Sequence, residues 1–382
     1  TATGQKVLIV GAGSAGEMLV REMLREGSYK PIGFIDDNPN IKNSELQGIP
    51  IIGTVEDIPA IHQRYEIDHI VIAVPTATDE QMQRIVNNCE TTGVPIRTLP
   101  RLQEMVSSKV VIEELREVSI EDLLGREKIE LDWGIIQQGI TDKVVLVSGA
   151  AGSIGSEICR QVLQFSPKKL ILLDEAESVL YDLDNELKTL YSNISWELVI
   201  GDVSNLSRIK RIFEYYKPEY VFHAAAYKHV PLMEHNPSEA IRTNILGTKI
   251  ISDLSNEFLV DKMVLISTDK AVNPSNVMGA SKRIAEIYCQ SLNKISKTLF
   301  ITTRFGNVLG SNGSVIPLFK KQISNGGPLT VTDENITRFF MTIPEACLLV
   351  LEAGSMGKGG EIFVFDMGES IKIIDLAKQM IK

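Results

Sequence analysis

Residues 143–155 read KVVLVSGAAGSIG, an apolar run followed by three spaced glycines. The run predicts a buried parallel strand, and the apolar spacing after the glycines predicts a helix. Glycines at these positions permit a tight turn whose backbone amides can approach a pyrophosphate at the helix N-terminus. The predicted cofactor-binding residues of this turn are Gly149, Gly152, Ser153, Ile154 and Gly155.

A similar stretch opens the chain. Residues 6–16 read KVLIVGAGSAG, and Asp36 follows the next predicted strand. Nothing later in this segment resembles catalytic equipment, so two interpretations stay open: a nucleotide binds at this turn, or the fold persists without a ligand.

The two turns predict an α/β protein with two Rossmann-like, doubly wound parallel-sheet units, the second carrying a smaller C-terminal substrate lobe. The predicted N-terminal Rossmann-like domain covers residues 1–100, and a structured connector covers 101–140. The predicted NAD-binding catalytic domain covers 141–305. We expect a substrate lobe over 306–382 to pack on it.

Composition excludes several classes of protein. The 382 residues include 49 acidic and 39 basic side chains, for a formal net charge of −10. Without a basic cluster, we expect no nucleic-acid partner. The four cysteines form no C-x-x-C pair, which indicates a reducing, cytoplasmic compartment and no metal site. No apolar run reaches the roughly 18 residues of a membrane-spanning helix.

The predicted second strand of the catalytic unit ends at Asp174, where a carboxylate can bind an adenosine ribose. A carboxylate there repels a 2′-phosphate, and Glu175 follows rather than arginine, which favours NAD over NADP. Asp202, just past the third strand, is the expected partner of the adenine amino group.

Polar residues also follow the predicted fifth strand. Residues 267–270 read STDK, and the next helix carries Met278 and Lys282, which lie four apart on one helix face. Ligands of doubly wound sheets bind outside the carboxyl ends of the strands. These residues therefore lie where a nicotinamide and its substrate are expected to meet.

This pattern resembles the short-chain dehydrogenases/reductases, which place a Ser or Thr after the fifth strand and Y-x-x-x-K on the next helix. Met278 stands at the tyrosine position and Lys282 at the lysine position. HAAAYKHVP at 223–231, TNILGT at 243–248 and RFGNVLGS at 304–311 make the second unit similar to extended nucleotide-sugar dehydratases. The subgroup is the UDP-N-acetylglucosamine 4,6-dehydratases.

Two further features are similar to the large membrane-associated members of this subgroup, which serve polysaccharide biosynthesis and protein glycosylation. They are the methionine itself and an N-terminal Rossmann-like unit followed by EDLLGR at 121–126. Since the chain begins with Thr1 and such members carry transmembrane helices, we expect an inner-membrane anchor before this cytoplasmic part. Members also continue beyond Lys382, so the resemblance implies a partial lobe. Homo-oligomerisation stays open.

The resemblance implies a dehydration with no net redox change. NAD takes hydride from C4 of the sugar, water is eliminated across C5 and C6, and the hydride returns to C6. Asp269 is then the acid for the C6 hydroxyl and Lys270 the base at C5. Thr268 hydrogen-bonds the sugar near C4, Lys282 holds the nicotinamide ribose, and Ala224, Ala225 and Ala226 line the cofactor. The catalytic set is Thr268, Asp269, Lys270, Met278 and Lys282.

Met278 cannot titrate, so a water or Asp269 acting twice must receive the 4-hydroxyl proton, and both options stay open. Asp269 and Lys270 would rest as carboxylate and ammonium, whereas elimination needs both groups neutral. The two states carry the same single proton. We therefore expect that closure around the substrate excludes water and shifts the pair to its neutral form.

The resemblance also implies a set of substrate-binding residues. Asn307 is expected at the pyrophosphate, and the guanidinium of Arg338 is expected to bind phosphate through its fork of donors. A solvated helix face is the competing interpretation of Lys320. The predicted set is Lys228, Asn307, Ser311, Lys320 and Arg338.

Two other functions stay open. A nucleotide-sugar 4-epimerase would use the same fold without an acid for C6, and Asp269 argues against it. A non-catalytic NAD-binding sensor or scaffold would explain Met278 as ordinary helix packing in an inactive site, although such a site needs neither Asp269 nor Lys270.

Overall fold

The computed structural model describes residues 4–42, 44–99, 115–117, 131–191, 195–311, 315–331, 333–368 and 370–381. The chain divides into two compact units, Thr1–Glu127 and Lys128–Ile381. The EDLLGR motif lies outside the described residues, and the four domain boundaries stay predictions. In the described part, no helix combines the length and apolarity needed to cross a membrane.

The first unit contains one mostly parallel sheet with the strand order β3-β4-β2-β1-β5-β6-β7. Only the outer pairs β3–β4 and β6–β7 are antiparallel. Its strands are β1 (Gln5–Val10), β2 (Tyr29–Ile35), β3 (Glu45–Leu46), β4 (Ile49–Gly53), β5 (His69–Ile72), β6 (Ile96–Thr98) and β7 (Arg116–Glu117). Its helices are α1 (Ser14–Glu26), α2 (Ile58–Tyr65) and α3 (Asp79–Glu90).

The second unit contains a parallel sheet with the order β10-β9-β8-β11-β12-β13-β16. The order reverses between β8 and β11, which creates the crevice where doubly wound folds bind ligands. The strands are β8 (Val144–Ser148), β9 (Lys169–Asp174), β10 (Trp196–Ile200), β11 (Tyr220–His223), β12 (Lys262–Thr268), β13 (Leu299–Phe305) and β16 (Ile362–Val364). A three-stranded sheet follows the order β14-β15-β17, with β14 (Asn307–Val308), β15 (Thr337–Met341) and β17 (Ser370–Lys372).

Successive side chains of a strand point to opposite faces of the sheet, and in the large sheet both sets are apolar. Helices therefore pack on both of its faces. Val145 and Val147 of β8 lie in one core, and Leu146 lies in the other. This arrangement confirms the predicted doubly wound fold. The helices are α4 (Trp133–Ile140), α5 (Ser153–Gln164), α6 (Glu177–Leu190), α7 (Leu206–Tyr216), α8 (Val230–His235), α9 (Pro237–Ala240), α10 (Thr248–Glu257), α11 (Val277–Asn293), α12 (Val315–Ser324), α13 (Ile343–Met356) and α14 (Ile373–Ile381).

The end of the predicted connector is part of a core. Ile136 and Ile140 of α4 are fully buried in the second unit, where α4 packs against α13. Their spacing of four residues gives this short helix one apolar face.

Candidate active site

Two glycines of the turn between β8 and α5 leave no room for a side chain. Gly149 has a φ of +74°, and a Cβ there would lie 2.5 Å from the Ala225 amide nitrogen. A Cβ on Gly155 would lie 1.9 Å from the Gly149 carbonyl oxygen. Gly152 caps α5, and Ser153 and Ile154 are its first residues. The positive end of the α5 dipole is therefore next to the turn.

A cleft of about 260 Å³ opens beside this turn. Glu175, Tyr227 and Thr243 also line it. The predicted residues that the structure brings together around it are Gly149, Gly152, Asp174, Asp202, Ala224, Ala225 and Ala226.

The two aspartates of the cleft are held by different partners. Asp174 accepts hydrogen bonds from the Ala151 amide at 2.9 Å and the Ala176 amide at 2.9 Å. Asp202 accepts from the Ser204 amide at 2.7 Å and from Arg242 Nη2 at 2.7 Å. Burial alone would raise the pKa of Asp202, but hydrogen bonds from Ser204 and the charge of Arg242 outweigh it and lower that pKa.

The glycine turn of the first unit has the same geometry. Gly11 has a φ of +105°, and a Cβ on Gly16 would lie 2.1 Å from the Gly11 carbonyl oxygen. Asp36 accepts from the Ala12 amide at 2.8 Å, as Asp174 does from Ala151. The geometry is compatible with both open interpretations of this turn.

The residues predicted to react lie at the end of β12. Thr268 Oγ1 donates to Asp269 Oδ1 at 2.9 Å. Lys270 Nζ donates to the same carboxylate oxygen at 3.0 Å and to Asn307 Oδ1 at 3.3 Å. The Asp269 and Lys270 side chains are 52% and 36% exposed, so a substrate can reach both. Asn307, predicted at the pyrophosphate, therefore contacts the predicted base.

Helix α11 carries the other two predicted catalytic residues. Met278 is buried and packs with Met233 and Ala240 in an apolar cluster. Lys282 is only 4% exposed, and within the described part of the chain no hydrogen bond or ion pair to its Nζ is found. Burial lowers the pKa of Lys282 to about 8, because the ammonium is desolvated. A ribose hydroxyl would supply the missing hydrogen-bond partner.

A buried hydrogen-bond chain behind the cofactor cleft fixes the tautomer of His223. The Thr248 hydroxyl donates to the Asn244 carbonyl at 2.7 Å, so it can only accept from His223 Nε2 at 3.0 Å. Nδ1 must then accept from the Ser148 hydroxyl at 2.6 Å. Burial and the charge of Lys282 lower the pKa of His223 to about 3. This residue is a neutral core histidine.

The low pKa of His223 predicts acid sensitivity. The unfolded chain, with a histidine pKa near 6.5, binds more protons than the folded chain between about pH 6.5 and 3. Folding stability therefore falls as the pH drops through this window, by about 1.4 kcal/mol per pH unit. The free energy of unfolding, measured with denaturant at several pH values, is expected to change less steeply with pH in His223→Gln, by that amount. Equal slopes in both proteins would contradict the assignment.

Asn244 was missed as a member of the site. It lies in a π-helical segment, Ile241–Gly247, and is fully buried. Its side chain accepts from the Tyr227 amide at 2.8 Å and donates to Ser281 Oγ at 2.9 Å. It thus joins the loop after β11 to the helix that carries Lys282. Its place in the TNILGT motif was the available signal.

The remaining predicted substrate residues are spread over the second unit. Lys228 follows the alanines of the cleft, and desolvation lowers its pKa. Ser311 is buried and donates to the Val308 carbonyl at 3.0 Å. Lys320 is exposed on α12, and Arg338 is exposed on β15, where it donates to the Thr337 carbonyl. Among the described residues, no hydrogen bond or ion pair joins the last three to Asp269 or Lys270, and their roles stay predictions.

Comparisons with known proteins agree with this geometry. A family profile described as "Polysaccharide biosynthesis protein" matches residues 145–382, and one described as "CoA-binding domain" matches residues 1–100. The X-ray structure of Pen from Bacillus thuringiensis is 40% identical with a TM-score of 0.60, covering 63% of this chain and 74% of that one.

Three relatives have names that bear on the function. The capsular polysaccharide biosynthesis protein CapD of Staphylococcus aureus is 51% identical over 98% of this chain, which spans 63% of that protein. A UDP-N-acetylglucosamine 4,6-dehydratase (inverting) of Campylobacter jejuni is 38% identical over 62% of this chain and 70% of its own length. A UDP-glucose 4-epimerase of Rickettsia canadensis is 38% identical over 58% of this chain and 66% of its own length.

The parallel sheet, the glycine turn and the residues after β12 define an extended short-chain dehydrogenase/reductase. The chain belongs to the polysaccharide biosynthesis protein family. A named UDP-N-acetylglucosamine 4,6-dehydratase and a named UDP-glucose 4-epimerase are among the proteins it resembles.

Proposed function

We propose that this chain is a hydro-lyase that dehydrates UDP-N-acetylglucosamine to a UDP-4-keto-6-deoxy-N-acetylhexosamine for glycan biosynthesis. The observation that carries the proposal is the Asp269–Lys270 pair, joined at 3.0 Å at the end of β12. An acid and a base side by side match an elimination that removes one proton and protonates one leaving oxygen.

The structure supports NAD as the cofactor. Gly149 and Gly155 leave no room for a side chain beside the cleft, and Asp174 lines the cleft, which suits a carboxylate that binds an adenosine ribose. Lys282 is buried without a hydrogen-bond partner in the described part of the chain, which suits a group that binds the nicotinamide ribose. When bound, NAD would accept hydride from C4 and return it to C6.

Side chains of the protein carry out the proton transfers. With the pair in its neutral form, Lys270 Nζ takes the C5 proton, the C5–C6 double bond forms as the C6–O bond breaks, and Asp269 gives its proton to the departing oxygen, which leaves as water. The Lys270 ammonium then returns a proton to C5 when hydride adds to C6. The Thr268 hydroxyl already touches Asp269 Oδ1, so it lies within reach of a sugar placed there. Met278 lies in an apolar cluster and takes no part in proton transfer.

Epimerisation is the second candidate, because a relative carrying that name is as similar as the named dehydratase. An epimerase rotates the 4-keto sugar, returns the hydride to C4 from the opposite face and needs no acid at C6. The contact of Asp269 with Lys270 favours dehydration, since it supplies both groups that the elimination requires.

Incubation with UDP-N-acetylglucosamine and NAD tests the proposal. We expect mass spectrometry to show a product that is lighter than the substrate by one water. A new isomer of unchanged mass would indicate an epimerase, and an unchanged substrate would favour a non-catalytic NAD-binding protein.

A further inference from the structure

A buried carboxylate lies directly beneath the residues that follow β12. Glu286 is on α11, one turn after Lys282, and is fully buried. It accepts hydrogen bonds from Ser267 Oγ at 2.6 Å, from Arg304 Nε at 2.8 Å and from Arg283 Nη1 at 3.0 Å. Arg304 Nη2 makes a second bond to it, so the guanidinium binds through both arms.

This carboxylate joins α11 to β12 and β13, and predicted site residues lie on α11, at the end of β12 and just after β13. Ser267 precedes Thr268 on β12, and Arg304 lies opposite Ser267 in the register of β12 and β13. Three residues after Arg304 comes Asn307, whose side chain accepts from Lys270 Nζ. One side chain of α11 therefore holds the two strand ends whose extensions meet at the Lys270–Asn307 contact.

The charges of Glu286 and its arginine partners favour a fixed geometry. Burial alone would raise the pKa of Glu286, but hydrogen bonds from Arg304, Ser267 and Arg283 outweigh it and lower that pKa. The hydrogen bond with Glu286 raises the pKa of Arg304. Bidentate arginine–carboxylate pairs fix orientation as well as distance. An apolar pair of similar volume would fill the same space but would fix neither the orientation nor the distance of the two side chains.

We propose that Glu286 is a positioning residue that holds the ends of β12 and β13 so that Asn307 meets Lys270 Nζ. The inference deepens the proposed function and rests on it for its kinetic consequences. Glu286 touches neither Asp269 nor Lys270 in the structure, so it acts through Ser267 and Arg304. Its loss is expected to displace the base relative to C5, and Asn307 with it.

The kinetic test is the variant Glu286→Gln. Misplacement of a reacting group by about 1 Å costs about 100-fold in rate, so we expect kcat to fall about 10- to 100-fold. The Kd for NAD is expected to stay near the wild-type value, and the fall in kcat is expected to exceed any rise in the KM for UDP-N-acetylglucosamine. The matched control is Glu186→Gln, which removes the bidentate pair with Arg160 elsewhere in the same unit and should leave kcat unchanged.

A double variant separates positioning from simple stabilisation. Replacing a buried ion pair by apolar residues is often neutral or stabilising, so Glu286→Met with Arg304→Met is expected to fold even where Glu286→Gln does not. We expect its kcat to stay low. Wild-type kcat in either folded variant would show that the cluster only stabilises the fold.

A chemical readout keeps the inference testable without catalysis. Amine acetylation, followed residue by residue with mass spectrometry, is expected to modify Lys270 several-fold faster in the variants, because its contact with Asn307 is lost. The exposed Lys320 serves as the internal reference. An unchanged Lys270 rate would overturn the positioning role. A wild-type protein that makes no product would overturn only the proposed function.

Discussion

Replacing Lys270 with Met is expected to reduce dehydration by about 100- to 10,000-fold, the range that a general base contributes. Methionine keeps the length of the side chain but cannot accept the C5 proton. The variant should also lose exchange of the C5 proton with solvent deuterium, measured by NMR of the recovered sugar. If the exchange continued at the wild-type rate, Lys270 would not be the base.

Asp269→Asn is the matched partner of this variant, and it separates the two open routes for the 4-hydroxyl proton. Dehydration is expected to stop in either case, since asparagine cannot protonate the C6 oxygen. Exchange at C5 persists if a water receives the 4-hydroxyl proton, and it disappears if Asp269 receives it. Lys321→Met, on the exposed face of α12, is the control for loss of a lysine and should retain activity.

The second large effect is expected from Gly155→Ala. The added Cβ would lie 1.9 Å from the Gly149 carbonyl oxygen, so the turn beside the cleft must open. Overpacking of this kind costs about 1–3 kcal/mol, which corresponds to about 5- to 150-fold in the Kd for NAD if the bound state bears the full cost. Titration with NAD by calorimetry measures the change.

The first unit provides a matched control for this steric change. Gly16→Ala places a Cβ 2.1 Å from the Gly11 carbonyl oxygen in the equivalent turn. We expect its NAD affinity and dehydratase activity to equal those of the wild type. If Gly16→Ala weakened NAD binding while Gly155→Ala did not, the cofactor would belong to the first unit.

Much of the catalytic unit can be predicted from sequence because its signals are local. The apolar run before Gly149 and the carboxylate of Asp174 mark strand, turn and strand end within one βαβ unit. The residues after β12 follow from the same rule about strand ends. Local spacing therefore predicts both the cleft and the Asp269–Lys270 pair.

The hydrogen bonds by which Glu286 joins β12 to β13 could not be predicted in this way. Glu286 comes four residues after Lys282 on a helix, and a glutamate in a helix is far more often exposed to solvent than buried. Only the register of β12 with β13 places Ser267 beside Arg304, and no local pattern encodes that register. The contact of Asn307 with Lys270 depends on the same pairing, which explains why the expectation for Asn307 named only the pyrophosphate.

The end of the predicted connector illustrates a different limit. The sequence predicted a connector that ends at residue 140, yet α4 buries Ile136 and Ile140 in the core of the second unit. A helix of eight residues shows its apolar face only twice, so periodicity over a longer window misses it.

UDP-N-acetylglucosamine carrying deuterium at C4 tests the central claim most directly. Incubation with the protein and NAD is expected to yield a product lighter by one water, with the deuterium found at C6 by NMR. This result requires oxidation at C4, elimination across C5 and C6, and return of the same hydride. Recovery of a C4 isomer with unchanged mass, or of the unaltered substrate, would contradict the account.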